Sequence, residues 1–256
     1  MRFRKLHPWR VSYHEAVRLQ DRLRECLVLK GFKGLPRTIA GADVAYSKQT
    51  NQVYAGIVVF DFRSMEPLDK SFAVAKASFP YVPGLLSFRE APILLRAFSR
   101  LKSEPDVLLF DGQGIAHPRG FGLASHMGLL LDKPSVGCAK DVLVGEYGPV
   151  GSEAGSYSYL FYKGKRVGAA VRTRKLVKPV FVSQGHKISL SSSIKIVFSS
   201  CRGYRLPEPL RWAHNLVSQL RSSFEEKSKI KAGHYEGRSP EAIPATHNEI
   251  TSLRSQ

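Results

Sequence analysis

Apolar residues recur at helical intervals from Ala16 through Leu19, Leu23, Cys26 and Leu27, up to Gly31. Ser12 and Glu15 precede them at capping-box spacing, so the pattern predicts a first helix with Arg18, Arg22 and Arg24 on its other faces. The period then changes. Residues 38–47 form an extended, β-leaning run, 53–60 read as a second strand, and 68–77 alternate as a third. Short polar connections make these an antiparallel meander. Ile93, Leu94, Ala97, Phe98 and Leu101 mark a second helix. Pro92 sits badly in a helix interior, which places the start near residues 89–91. Residues 106–111 are a short, mostly apolar strand of the kind buried in parallel sheets. Gly112-Gln113-Gly114, a helix over about 122–131 and a strand near 135–139 follow, and this spacing predicts a right-handed crossover.

Residues 145–155 are a glycine-rich loop, and 156–162 pair with 166–173 around Lys163-Gly164-Lys165. A short strand at 180–182 and a helix over 188–198 come next. Pro207-Glu208-Pro209 opens a last helix reaching about Leu220. From Phe224 the chain turns polar and loses its period. The expected division is one domain over residues 1–223 and a mobile C-terminal tail over 224–256. Meander, helix, parallel strand, crossover helix, parallel strand is the order of an RNase H-like α/β core, a mixed sheet flanked by helices.

Charge narrows the partner. The 39 Lys and Arg against 21 Asp and Glu leave a formal +18, which favours a polyanion, nucleic acid before membrane. Residues 154–207 hold eleven of the bases and no acid. Cys26, Cys138 and Cys201 match no zinc spacing and read as thiols of a reducing compartment. The basic start has no apolar run behind it, and no stretch approaches the ~18 residues of a membrane helix. The expectation is a soluble, cytoplasmic protein.

Scarce acids embedded in apolar strands stand out against this background. Asp43 interrupts the first strand, Asp111 ends the fourth, and Glu90 sits at the mouth of the helix between them. A buried, unpaired carboxylate is costly, so each needs a cation, a hydrogen-bond cage or a shifted pKa. Three oxygen donors from separate elements suit a hard cation of the Mg²⁺ type. Structural roles compete: a turn cap at Asp43, an Asx turn at Asp111, and a Ser87–Glu90 capping box. His214 lies four residues after Leu210 and three before Val217, as a satisfied core histidine would. His117, His126 and His186 are weaker candidates, and Lys140 past the fifth strand could neutralise a phosphate or simply be solvated. Two prolines frame Tyr81 and Val82 before Gly84, a stiff aromatic knuckle nine residues ahead of Glu90.

Four stretches together resemble the endonuclease V family: Ala-Gly-Ala-Asp43-Val-Ala-Tyr, Phe-Pro-Tyr-Val-Pro-Gly-Leu-Leu-Ser-Phe-Arg-Glu90, Asp111-Gly-Gln-Gly-Ile-Ala-His-Pro-Arg-Gly and Arg-Leu-Pro-Glu-Pro-Leu-Arg-Trp-Ala-His214. The resemblance runs from the first helix to about Ser222 and is to inosine-directed repair nucleases of RNase H-like fold. It implies Asp43 and Asp111 as Mg²⁺ ligands (Mn²⁺ can substitute), with Glu90 as third acidic member and His214 and Lys140 as further catalytic residues. It implies Pro80, Tyr81, Val82 and Pro83 as a wedge entering the duplex, with valine where the family commonly has isoleucine. Gly84, Leu86, Gly112, Gly122 and Gly137 fall around the pocket for the displaced base. The implied reaction is Mg²⁺-dependent hydrolysis of the second phosphodiester bond 3′ to deoxyinosine, leaving 3′-hydroxyl and 5′-phosphate ends, by a monomer acting on single- or double-stranded DNA. An inosine-specific endoribonuclease and a non-catalytic, structure-recognising DNA-binding protein are the alternatives. Arg172, Arg174, Lys175 and Lys178 are the expected backbone grip.

Overall fold

The computed structural model describes residues 1–47 and 49–236, with side chains described as far as residue 226. Helix α1 (Tyr13–Arg24) starts on the predicted capping box. Ser12 Oγ accepts from the Glu15 amide at 3.3 Å, and the Glu15 carboxylate accepts from the Ser12 amide at 2.7 Å. It ends at Arg24, well short of Gly31.

Strands β1 (Thr38–Tyr46), β2 (Gln52–Asp61) and β3 (Pro67–Lys76) form the expected antiparallel meander. β4 (Val107–Phe110) lies parallel to β1, and β5 (Ser135–Ala139) parallel to β4. Both are buried along their whole length, as strands covered on two faces must be. The sheet continues antiparallel through β9 (Val180–His186), β8 (Lys165–Val171), β7 (Tyr157–Tyr162) and β6 (Glu146–Tyr147). Its order among the described residues is β3-β2-β1-β4-β5-β9-β8-β7-β6, a mixed sheet flanked by helices.

Alternation along the strands divides the core. Ala40, Ala42, Ile57 and Val59 pack under α2 (Leu86–Phe98) and α3 (Leu123–Leu131). Ile39, Val58 and Phe60 face α4 (Leu190–Ser199) and the start of α5 (Glu208–Glu236). Each fully buried valine, isoleucine or phenylalanine among these contributes about 1.5–3 kcal/mol relative to exposure. The α5 face tolerates no side chain at Gly41, where a Cβ would lie 2.1 Å from the Pro209 carbonyl oxygen. Bare backbone there lets the first turn of α5 rest on β1, which brings His214 toward Asp43.

Several boundaries differ from the sequence expectation. α2 begins at Leu86, not at 89–91, and Pro92 lies inside it. The proline deletes the bond its N–H would give to the Phe88 carbonyl, but Ala91, Ile93, Leu94 and Leu95 are all buried. Packing on the sheet holds the helix through the fault. The 180–182 strand extends to His186, and a short strand, β6, interrupts the glycine-rich loop. α5 does not stop near Leu220 but runs to Glu236, so the first part of the expected tail is helical. Residues 237–256 of that tail lie outside the described residues.

Candidate active site

Asp43 and Asp111 meet because β1 and β4 are parallel neighbours. Ala42 pairs with Phe110, and the Asp111 amide bonds the Ala42 carbonyl at 3.3 Å. Both carboxylates therefore stand at the carboxyl end of the parallel strands, where open α/β sheets present their sites. Asp43 Oδ2 lies 2.8 Å from His214 Nδ1, and its side chain is 11% exposed. Burial, and then Asp111, push the Asp43 carboxyl above its usual range, against the opposing pull of His214. Lys140, just past β5, donates to Asp111 Oδ2 at 2.6 Å. Burial works against the Lys140 charge, but the Asp111 partner outweighs it and holds the ammonium above its ordinary range.

Glu90 enters from the opposite face, on the second turn of α2. Its carboxylate accepts from the Tyr46 hydroxyl at 2.8 Å and is 6% exposed. Burial first, then Asp43 and Asp111, push it up to about 8, with the Tyr46 bond pulling the other way. It is no helix cap. α2 is preceded by Leu85 with no side-chain cap bond, and Ser87 bonds His126 instead. His214 is also not a core histidine. Leu210 and Val217 are buried, while His214 is 53% exposed at the edge beside Asp43.

Among the described residues, no three His, Cys, Asp or Glu side chains close into a ready metal-holding group. The expected three-acid ligand set is thus only partly assembled, with Glu90 drawn toward Tyr46 and Asp111 toward Lys140. The Asp43–Asp111 pair still fits a hard divalent cation. It offers oxygen donors alone, the Asp111 charge helps push the Asp43 carboxyl up, and such ions bind through one or two protein carboxylates.

A cavity of about 420 Å³ opens beside this cluster, sharing Asp111 and Lys140 as wall. Tyr81, Val82, Pro83, Gly84 and Leu86 line it from one side and Gly112 and Gly122 from the other. Tyr81 is 70% exposed, whereas Phe79 is buried against Phe88. Gly84 adopts φ +75°, a left-handed conformation that glycine takes without strain, and its carbonyl accepts from Gln20 at 3.0 Å and Arg119 at 2.6 Å. Gly137 does not line the cavity. A Cβ there would lie 2.4 Å from the Gly114 amide nitrogen, so this glycine lets the Gly112–Gly114 loop pack on β5.

Gln20, Ser87 and Gln113 also line the cavity and were not singled out there by sequence, and His117, one of the weaker sequence candidates, lines it too. His117 is driven down to about 4 by burial, with Arg119 adding to it, so the ring is neutral at physiological pH. His186 is structural, accepting from the Val28 amide at 3.2 Å. Arg172 is not free for a phosphate backbone, because its guanidinium is occupied by the carbonyls of Val150, Gly151 and Val177. Arg174 and Lys178 are exposed, and Lys175 pairs with Glu153 at 2.8 Å.

The sequence profile of the endonuclease V family matches residues 21–215. An endonuclease V from Methanothrix thermoacetophila is 53% identical over 218 residues, covering 84% of this chain and 95% of that protein. The crystal structure of the Streptomyces avermitilis endonuclease V superposes with TM-score 0.81 at 39% identity, covering 86% of this chain and 96% of that one. The Ciona intestinalis endonuclease V, solved in complex with a 23mer DNA containing an inosine followed by a ribo-adenosine, has TM-score 0.74 at 27% identity, covering 84% and 100%. No helix among the described residues is long and apolar enough to cross a membrane. The family profile, the relatives and the fold converge: the chain belongs to the endonuclease V family of nucleases.

Proposed function

We propose that this chain nicks DNA at deoxyinosine, hydrolysing the second phosphodiester bond 3′ to the lesion and leaving 3′-hydroxyl and 5′-phosphate ends. The observation that carries this reading is the shared wall: Asp111 and Lys140 belong at once to the acid cluster and to a cavity bordered by Tyr81. A base displaced into the cavity leaves its strand running past the carboxylates. The relative from Ciona intestinalis, bound to inosine-containing DNA, supports the substrate class.

Tyr81 stacks in the gap left by the displaced base, and the Pro80–Pro83 frame limits the entropy lost on insertion. Hypoxanthine pairs weakly, so extruding it costs less than extruding a normal base. Asp43 and Asp111 would hold Mg²⁺, which would supply positive charge to the scissile phosphate. Lys140 places its ammonium beside the same phosphate. His214, fixed through Nδ1 by Asp43, presents the other face of a half-exposed ring. Glu90 holds a proton near neutral pH in the absence of a cation, which suits it to water handling.

The test is direct. Matched DNA and RNA oligonucleotides, with and without one inosine, are incubated with Mg²⁺ and the cut is mapped. Cleavage of the inosine DNA at the second 3′ bond is expected. A cut confined to inosine RNA makes the protein a ribonuclease, and no cut at all leaves a binding protein.

A further inference from the structure

Behind Ser87, the cavity wall continues into a hydrogen-bonded chain that crosses to the N-terminal segment. Ser87 Oγ lies 3.0 Å from His126 Nδ1, and His126 Nε2 lies 2.8 Å from His7 Nε2. His7 Nδ1 in turn lies 2.8 Å from the Pro8 carbonyl oxygen. A carbonyl only accepts, so His7 Nδ1 carries the proton. A neutral His7 then has a bare Nε2, which takes the Nε2–H of His126. His126 in that tautomer has a bare Nδ1, which takes the hydroxyl proton of Ser87. Every proton is placed by the one before it, starting from a backbone oxygen. Burial holds both imidazoles below their ordinary range, against the pull of the Pro8 carbonyl and with a smaller push from Arg22 at His7, and with His7 adding to it at His126. The opposite polarity needs a doubly protonated His7.

The consequence falls on the cavity. With its proton committed inward, the Ser87 hydroxyl has only lone pairs to offer. Gln113 is in the same state. Its Nε2 donates to the Asp141 carbonyl at 3.1 Å, which fixes the amide orientation, and its buried Oε1 has no partner among the described residues. A buried acceptor in this condition carries an uncompensated desolvation cost until a donor arrives.

We propose that Ser87 and Gln113 are specificity-determining residues, two orientation-locked acceptors that select a base carrying a ring N–H. His126 and His7 are positioning residues that set the polarity of Ser87. This rests on the reading of the cavity as the base pocket. Hypoxanthine carries N1–H where adenine has a bare N1, so acceptors pair with the first and repel the lone pair of the second. The Leu86 and Ser87 amides, in the first turn of α2, belong to the same wall and complement the O6 of hypoxanthine.

Two measurements on the full chain test this. Cleavage of duplexes with hypoxanthine or adenine at one position is compared for wild type, Ser87→Ala and Gln113→Met. Each variant is expected to lose roughly ten-fold in kcat/KM on hypoxanthine and to narrow the ratio to adenine. Ring ¹⁵N shifts of ¹⁵N-histidine-labelled protein are expected to show His126 protonated at Nε2 alone, and His7→Phe to mix its tautomers. An unchanged base ratio in either cavity variant, or a His126 protonated at Nδ1, overturns the proposal. If wild type cuts no hypoxanthine strand, the function reading fails instead, and the tautomer measurement still decides the polarity of the Ser87–His126–His7 chain independently.

Discussion

The two sides of the cleft are held by opposite means. The loop between β3 and α2 is tied down by directed hydrogen bonds to its backbone. Gly84 accepts from Gln20 and Arg119, and the Phe79 carbonyl accepts from Arg89 at 2.7 Å. Tyr81 is left projecting, at 70% exposure. The acid side is held in tension. Asp43 and Glu90 are raised by burial and by neighbouring carboxylates, and a few polar contacts offset only part of that. One side is complete as folded; the other is relieved only when positive charge arrives. On the proposed function, recognition is thus rigid and preorganised, and catalysis sits where the fold is electrostatically least content.

The largest effect follows from the tense side. Asp43→Asn or Asp111→Asn should lower Mg²⁺-dependent cleavage by roughly a thousand-fold or more, since charge at the scissile phosphate is lost. Inosine-strand affinity, read by gel shift in Ca²⁺, should remain. The same Asp43→Asn protein should melt no lower than wild type in chelator, because a like-charge contact disappears. A marked drop in melting temperature would mean that Asp43 supports the fold and that the acid side is not under tension.

Tyr81→Ala probes the rigid side and should behave inversely. Lesion binding should weaken roughly ten-fold or more, the worth of one base stack, while stability moves by less than about 0.5 kcal/mol. Wild-type affinity and rate in this variant would remove the wedge. Arg119→Met should come next, loosening Gly84 without touching Tyr81, and raise KM a few-fold with kcat nearly kept. A loss confined to kcat would place Arg119 in the chemistry rather than in the frame.

How much of this was legible follows from where the information lies. Asp43 and Asp111 announced themselves because an acid inside an apolar strand breaks a local pattern, and Ser12 with Glu15 forms a cap that four residues specify. Gln20 and Arg119 gave no such signal. They act through contacts with Gly84 that span 64 and 35 positions, and only the folded chain makes them neighbours. His214 looked like core because its helical spacing to Leu210 and Val217 is right, yet the start of α5 over Gly41 leaves it at the sheet edge. The start of α2 was misplaced because a local rule about Pro92 lost to the packing of its buried face. Gly137 read as pocket, but its lack of a side chain serves the packing of a neighbouring loop.

The basic stretch after Ala154 repeats the same contrast on a smaller scale, and it separates charges that bind from charges that build. Arg174 and Lys178 are exposed, whereas the guanidinium of Arg172 is bound to three carbonyls of the loops on either side. Counterion release makes each phosphate contact worth about 0.9 in the slope of log affinity against log salt on duplex DNA. Arg174→Ala and Lys178→Ala should each lower that slope by about one if they touch phosphate, with melting temperature unchanged. Arg172→Ala should leave the slope alone and cost about 1–2 kcal/mol of stability, from carbonyls left without a donor. A salt slope that falls in Arg172→Ala at unchanged stability would show that its three carbonyl bonds yield to phosphate, so that sequence charge alone had read the residue correctly.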